Sequence, residues 1–250
     1  RWLEEKILEL GPESVGAFIG EPIQGAGGLI VPPQSYWSEV QRICREYDIL
    51  LIADEVICGF GRTGNWWGSE TFGISPDFMT LAKGLSSGYM PISAIMVGDR
   101  VADALIDWDD ELAHGFTYSG HPVACAVALK NIEIFERENL VGRVADDIGP
   151  YFQDSVRNLL DHRLVGEVRG YGLIAGIELT PNKQTRAQFE KEGKLGGAVR
   201  DACTDLGIVC RAVRDVMMLS PPLIIEREEV DILVNTLRRA IDTAADRLGV

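Results

Sequence analysis

Residues 48–98 read DILLIADEVICGFGRTGNWWGSETFGISPDFMTLAKGLSSGYMPISAIMVG. The run Ile49-Leu50-Leu51-Ile52-Ala53 is short and wholly apolar, the pattern of a parallel strand buried on both faces. Strands of that kind present ligands outside their carboxyl ends, and Asp54 stands at that end. Lys83 follows a second apolar stretch and enters Gly84-Leu85-Ser86-Ser87-Gly88, where small residues permit close backbone approach.

An acid at a strand end and an amine on a nearby loop meet the needs of an aldehyde cofactor with a basic ring nitrogen. A desolvated, deprotonated lysine condenses with the aldehyde and later exchanges for a substrate amine. A carboxylate beside the ring nitrogen keeps it protonated, so the ring can act as an electron sink. Pyridoxal phosphate fits, with Lys83 as tether and Asp54 as the ring's partner. Taken singly, Asp54 also reads as a turn or cap residue, and Lys83 as a solvated surface charge.

A rival reading takes LLIADE, residues 50–55, as the strand and acid that hold magnesium in a P-loop NTPase. That reading requires G-x-x-x-x-G-K-[ST], which is absent from these residues. Gln24-Gly25-Ala26-Gly27-Gly28 is glycine-rich but carries no lysine.

GEPIQGAGGLIVPP at 20–33, LIADEVICGFGRTG at 51–64, AKGLSSGYMPISA at 82–94 and HGFTYSGHPVACAVAL at 114–129 resemble, in order and spacing, the signature blocks of the class III (omega) aminotransferases of fold type I. The resemblance covers essentially the whole chain and is greatest to the amine:pyruvate and putrescine:pyruvate transaminases. It implies an α/β architecture: a mostly parallel sheet with flanking helices, and a smaller α+β C-terminal domain. Residues 1–139 would be the C-terminal portion of the large cofactor-binding domain and 140–250 the small domain. The N-terminal part of the usual fold, with its phosphate-cradling loop and ring-stacking aromatic, would lie outside these residues.

Position by position, the resemblance makes Lys83 the Schiff-base lysine and Asp54 the partner of the pyridinium nitrogen. It makes Val56 the side chain that packs on the cofactor ring. Read without the family, Val56 is a core valine. Thr117 matches the threonine that binds the phosphate of the neighbouring subunit's cofactor, which implies a homodimer or higher homo-oligomer with shared sites. Read alone, it is a turn residue or the cap of a helix beginning near His121. Arg211 matches the mobile arginine that clamps a substrate carboxylate, a task suited to a permanently charged, bidentate guanidinium. Its alternative is a surface arginine at the end of a strand. Ala26 stands where the ornithine and 4-aminobutyrate branches carry a glutamate paired with that arginine. The methyl group disfavours those branches and leaves a roomier apolar wall.

The function so implied is transamination from a primary amine (a diamine, polyamine-derived amine or omega-amino acid) to a keto acid such as pyruvate. Lys83 would act twice, as tether and as proton carrier. The alternatives are another class III chemistry (4-aminobutyrate- or ornithine-type transamination, an aminomutase, a decarboxylase) or a noncatalytic fragment.

A composition of 46% hydrophobic and 25% charged residues supports a substantial core in one large or two modest domains. A net charge of −14 argues against nucleic-acid or anionic-membrane partners. Cys44, Cys58, Cys125, Cys203 and Cys210 form no C-x-x-C pair, and their odd number argues against a disulfide framework. His114, His121 and His162 share no metal-ligand spacing, so no metal site is expected. No run approaches the roughly 20 apolar residues of a membrane span. Without a signal peptide, the expectation is a soluble, cytoplasmic enzyme.

Periodicity predicts helices over 1–10, 36–47, 121–137, 141–161, 188–206 and 226–248. Strands are expected near 15–19, 49–53, 78–81, 92–97, 164–168, 173–179, 208–211 and 216–219. Tyr36–Tyr47 should bury Trp37, Val40, Ile43 and Cys44. Gly170-Tyr171-Gly172 precedes its apolar run, which fits a tight entry to a sheet better than a dinucleotide loop. Pro221-Pro222 should form a rigid turn before the last helix.

Overall fold

The computed structural model describes all 250 residues, which divide into two compact units. The first holds residues 1–22, 32–60 and 65–139; the second holds 23–31, 61–64 and 140–250.

The first unit runs α1 (Trp2–Leu10), β1 (Ala17–Gly20), α2 (Tyr36–Glu46), β2 (Leu50–Asp54), α3 (Gly68–Phe72), β3 (Phe78–Leu81), β4 (Ala94–Val97), α4 (Asp99–Ile106) and α5 (Pro122–Arg137). Its sheet has the order β1-β2-β3-β4, parallel except for β4. Helix α2 buries Trp37, Val40, Ile43 and Cys44 as its periodicity predicts. They pack with Ile7, Ile49, Leu51 and Ile74 into one core. The Trp37 indole donates to the Pro22 carbonyl at 3.1 Å. Gln41, also on α2, accepts from Ser75 N at 2.7 Å and donates to Gly73 O at 2.9 Å, tying the helix to the loop before β3. At Gly20 an added Cβ would lie 2.8 Å from the Trp37 ring, so the strand end has room only for glycine.

Strand β2 differs from expectation. Leu51 and Ala53 are buried, whereas Ile52 and Asp54 are half-buried. The register sets Ile19 beside Ile52, and Ile95 beside Thr80, on the face that carries Asp54. Ile19 and Ile95 are each 57% exposed. The core formed by α1 and α2 covers only the opposite face of this sheet, and an apolar run cannot say which of its faces has a neighbour.

The second unit comprises α6 (Leu140–Arg143), a π-helical turn (Val144–Ile148), α7 (Gly149–Arg157), β5 (Val165–Tyr171), β6 (Ile174–Leu179), α8 (Lys194–Asp205), β7 (Arg211–Val213), β8 (Val216–Leu219) and α9 (Arg227–Leu248). The sheet is antiparallel throughout, in the order β5-β6-β8-β7. Ile174, Ala175, Ile177 and Leu179 of β6 are buried, as is the stripe Val230, Val234, Leu237, Ile241 and Ala244 of α9.

Three expectations are corrected here. The single helix over 141–161 is interrupted, because Pro150 has no N–H and its ring crowds the carbonyl four residues back. The chain shifts register, and Gly149 N donates five residues back to Val144 O. The helix expected from 188 begins at Lys194, after Gly193 at φ 76. Asp215 fixes that start by accepting from Gly193 N at 2.7 Å and Gly196 N at 2.8 Å. The strand expected at 208–211 is instead β7, with Arg211 as its first residue. Pairing of Val213 with Val216 sets 208–209 opposite Ser220 and Pro221, where proline cannot sustain a ladder. Helices α3 and α4 have weak sequence patterns and were not anticipated.

The Gly170-Tyr171-Gly172 segment turns β5 into β6. Gly172 has φ 50 and an added Cβ there would lie 2.5 Å from Arg62 O, so the turn must be glycine. Arg62 clamps it, accepting from Leu173 N at 3.0 Å and donating to Leu173 O at 2.9 Å and Pro221 O at 2.6 Å.

Truncating Trp37 to alanine should cost about 4 kcal/mol, through lost burial and a residual cavity. The measurement is the shift in denaturant midpoint, and a change below about 1 kcal/mol would mean that the core repacks around the loss.

Candidate active site

Asp54 and Lys83 come together through strand pairing. Asp54 is the last residue of β2 and lies opposite Thr80 of β3 in a parallel register. Both strands therefore end on the same edge of the sheet. Lys83 comes two residues after β3, in a 3-10 turn over Lys83–Leu85.

Asp54 is half-buried, and its Oδ1 accepts from Val56 N at 3.1 Å. Thr80 shares its sheet face, and the Thr80 hydroxyl is buried with no hydrogen-bond partner. Val56 is half-buried in the turn beyond Asp54. Lys83 is exposed, and its backbone has φ 37. That region is sparsely populated by side-chain-bearing residues, and such outliers concentrate at functional sites.

The Lys83 turn is held on several sides. Asn131 on α5 donates to Gly84 O at 2.8 Å and Leu85 O at 3.2 Å, and its Oδ1 accepts from the Ser87 hydroxyl at 2.8 Å. The Ser86 hydroxyl donates to Met90 O at 2.7 Å. Phe60 packs so closely that an added Cβ at Gly84 would lie 2.7 Å from its Cβ. The small residues after Lys83 thus let an aromatic side chain approach the backbone.

Beside Asp54, Glu55 is fully buried. Its carboxylate accepts from Gly68 N at 2.8 Å and Ser69 N at 2.6 Å, at the start of α3. Glu55 N donates to Thr80 O at 3.0 Å, and Gly59 N donates to Glu55 O at 2.9 Å. Glu55 thereby anchors the turn that follows Asp54. Burial pushes its carboxyl up, against the lowering effect of the hydrogen bonds from Ser69 and Gly68. Sequence reading passed over this residue because an acid next to another acid gives no sign of which is buried.

Thr117 lies in an exposed turn before α5, where Phe116 N donates to the Ser119 hydroxyl at 3.0 Å and His121 N to Tyr118 O at 3.2 Å. His121, rather than Thr117, caps α5, its Nδ1 accepting from Ala124 N.

Ala26 and Arg211 belong to the second unit, and both are exposed. Ala26 is at the tip of a turn closed by antiparallel bonds between Gln24 and Ile30. The turn is anchored by Leu29, fully buried against Gly176 of β6. Arg169 of β5 donates to Leu29 O at 2.6 Å and Gly28 O at 2.7 Å, and pairs with Glu178 and, at 3.3 Å, Glu167. Arg169 therefore positions the turn bearing Ala26, a role set by a partner some 140 residues away in the chain. Arg211 opens β7 opposite Met218.

Residues 2–241 match the family model for class III aminotransferases. The chain belongs to that family. It is 51% identical over 243 residues to a putrescine–pyruvate aminotransferase of Pseudomonas aeruginosa, covering 97% of this chain and 53% of that protein. It is 45% identical over 249 residues to the chloroplastic gamma aminobutyrate transaminase 3 of Solanum lycopersicum, covering 98% and 48%. A solved omega transaminase from Pseudomonas jessenii, in complex with PMP, superposes with a TM-score of 0.94 at 48% identity, over 99% of this chain and 55% of that one. The chain thus spans about half the length of the curated relatives it matches. The class III chain described here has the fold type I architecture of those transaminases.

Since Glu55 holds its proton more tightly folded than unfolded, its contribution to stability is fully present below about 4.5 and is lost as pH rises through the higher folded value. Denaturant titrations across pH should show that decline in the wild type. Glu55→Gln should flatten it, and an unchanged slope would assign the titration to another group.

Proposed function

We propose that this class III chain forms part of a pyridoxal-phosphate-dependent transaminase that moves an amino group from a primary amine to a keto acid such as pyruvate. The observation that carries the reading is the placement of Asp54 and Lys83 at the shared edge of two parallel strands. The donor class is a diamine, a polyamine-derived amine or an omega-amino acid.

The residues present fit such a cofactor. It needs an anion at its ring nitrogen and an amine at its aldehyde. The Asp54 carboxylate has Oδ2 available beside the unpartnered Thr80 hydroxyl, and the Lys83 amine is exposed. Pyridoxal phosphate, when bound, supplies an electron sink for the carbon that loses its proton. Asp54 would hold the ring nitrogen charged, and Val56 would fix the ring plane. Lys83 would tether the cofactor, yield to the incoming amine, and then carry a proton between the substrate carbon and the acceptor carbon. The strained backbone at Lys83 supports a fixed starting point for those movements.

On the substrate side, Arg211 would bind the keto-acid carboxylate bidentately, and the methyl of Ala26 would leave space for an uncharged amine chain. The family relationship supports these two assignments, and Ala26 favours an amine donor over one that requires a paired glutamate. Residues 1–139 would serve as the cofactor-binding portion and 140–250 as the small domain. Thr117 would reach the cofactor phosphate of a second subunit in a homodimer or larger assembly. In support, the flanking Phe116 and Tyr118 are 76% and 81% exposed in the single chain, as on a turn that a partner covers. No helix is long and apolar enough to cross a membrane, and a cytoplasmic location completes the proposal.

The test is a visible spectrum of the full-length protein with pyridoxal phosphate. A band that bleaches with a diamine and returns with pyruvate supports the reading, and a protein that never acquires the band overturns it. Lys83→Ala should lower turnover by about 10³-fold or more, and normal turnover would remove its role. Arg211→Ala should raise the Michaelis constant for pyruvate about tenfold to a hundredfold, in keeping with loss of a charged bidentate contact. The constant for an uncarboxylated amine should hardly move, so equal effects on both substrates would refute the assignment.

A further inference from the structure

Helix α5 carries a polar residue on its buried face. Ala124, Ala128 and Phe135 are its buried positions, and their spacing puts Asn131 on the same stripe, one turn before Phe135. Asparagine is a poor residue for a helix interior, because its amide competes with the backbone for hydrogen bonds. An alanine or leucine would continue the stripe at no such cost. Asn131 is half-buried, and both ends of its amide are used. Nδ2 donates to Gly84 O at 2.8 Å and to Leu85 O at 3.2 Å, and Oδ1 accepts from the Ser87 hydroxyl at 2.8 Å. These partners all belong to the turn that follows Lys83.

Lys83 is thereby bracketed. On its N-terminal side, Ala82 follows the last paired residue of β3, Leu81, and Ala82 O accepts from Leu85 N at 2.9 Å. On its C-terminal side, Asn131 fixes the carbonyls of Gly84 and Leu85. The buried Phe60 packs against Gly84 and meets Phe135 edge-on, with ring centroids 6.3 Å apart. Two residues of one α5 stripe therefore act on the same turn. The φ of 37 at Lys83 persists because both flanks are held.

We infer that Asn131 is a positioning residue for Lys83: the clamp from α5 holds the Lys83 backbone at its left-handed φ and so fixes the direction in which the side chain leaves the chain. The inference rests on the tether and proton-carrying role proposed above for Lys83. Asn131 acts through the turn and touches neither substrate nor cofactor. Without the clamp, Lys83 can relax to negative φ, which turns its Cα–Cβ bond away from the attitude the fold imposes. A misplacement of about 1 Å is enough to slow a reaction of this kind by about a hundredfold.

The test compares the full-length wild type with two variants. Asn131→Leu keeps the side chain's size and loses its hydrogen bonds, while Ser87→Ala removes the bond to Oδ1 at the exposed rim of the turn. In Asn131→Leu, kcat should fall about tenfold to a hundredfold. The Michaelis constants for amine and pyruvate should hardly move, because Arg211 and Ala26 are untouched. A readout independent of turnover is the growth of the visible band when pyridoxal phosphate is mixed with cofactor-free protein, which should slow several-fold. Ser87→Ala should show a smaller loss in the same two quantities, and it decides the matter if Asn131→Leu does not fold. A lowered thermal midpoint with kcat and band growth at wild-type values would reduce Asn131 to a packing residue and overturn the inference. Raised Michaelis constants with unchanged kcat would overturn it too, by placing Asn131 in substrate binding. A wild type that never acquires the band would overturn the transaminase reading and this inference with it, whereas a competent wild type matched by both variants would overturn this inference alone.

Discussion

The parallel pairing of β2 with β3 is the constraint on which the candidate site depends. Because Asp54 lies opposite Thr80, both strands end on one edge of the sheet. The chain that leaves β3 then has only one residue, Ala82, before Lys83. A parallel pair cannot be closed by a hairpin, so the 23 residues between the two strands form a crossover containing α3. Its long return path makes Glu55 necessary. The buried carboxylate takes up two backbone N–H groups at the start of α3, which would otherwise be orphaned beside the site. The cost of burying that carboxyl is visible in its raised pKa. Unpaired buried N–H groups would cost a comparable amount.

The turn bearing Lys83 is rigid for related reasons. A residue held at positive φ persists only where its surroundings over-determine it. Here Asn131 binds two successive carbonyls, Phe60 fills the space beside Gly84, and Ser86 closes the loop on Met90. The second unit uses the same kind of fixing at a distance. Arg169 binds the carbonyls of a turn that comes far earlier in the chain, and Asp215 caps a helix from the neighbouring hairpin.

Much of this was legible in advance. The amphipathic spacing of Trp37, Val40, Ile43 and Cys44 identifies the buried face of α2, because a helix brings such positions together whatever it packs against. The last helix is equally plain. Legibility fails where the deciding partner is remote. A proline one residue into a helix shifted the register before it, Asp215 delayed the start of α8, and Pro221 shortened β7. Of the candidate residues, Asp54 and Lys83 could be found from local pattern and strand-end chemistry. Thr117, Arg211 and Ala26 required the family resemblance, since their surroundings in sequence are those of ordinary surface turns.

By itself, then, the sequence determined most of the element types, the two candidate residues at the strand edge and the family. These depend on period, turn chemistry and residue type, which act over a few positions. Only the tertiary structure decided which face of β2 is covered, that Glu55 rather than Asp54 is the fully buried acid, and that Arg169 holds the turn of Ala26. Each of those depends on register or fold-back between segments distant in the chain, and neither leaves a local trace in the order of amino acids.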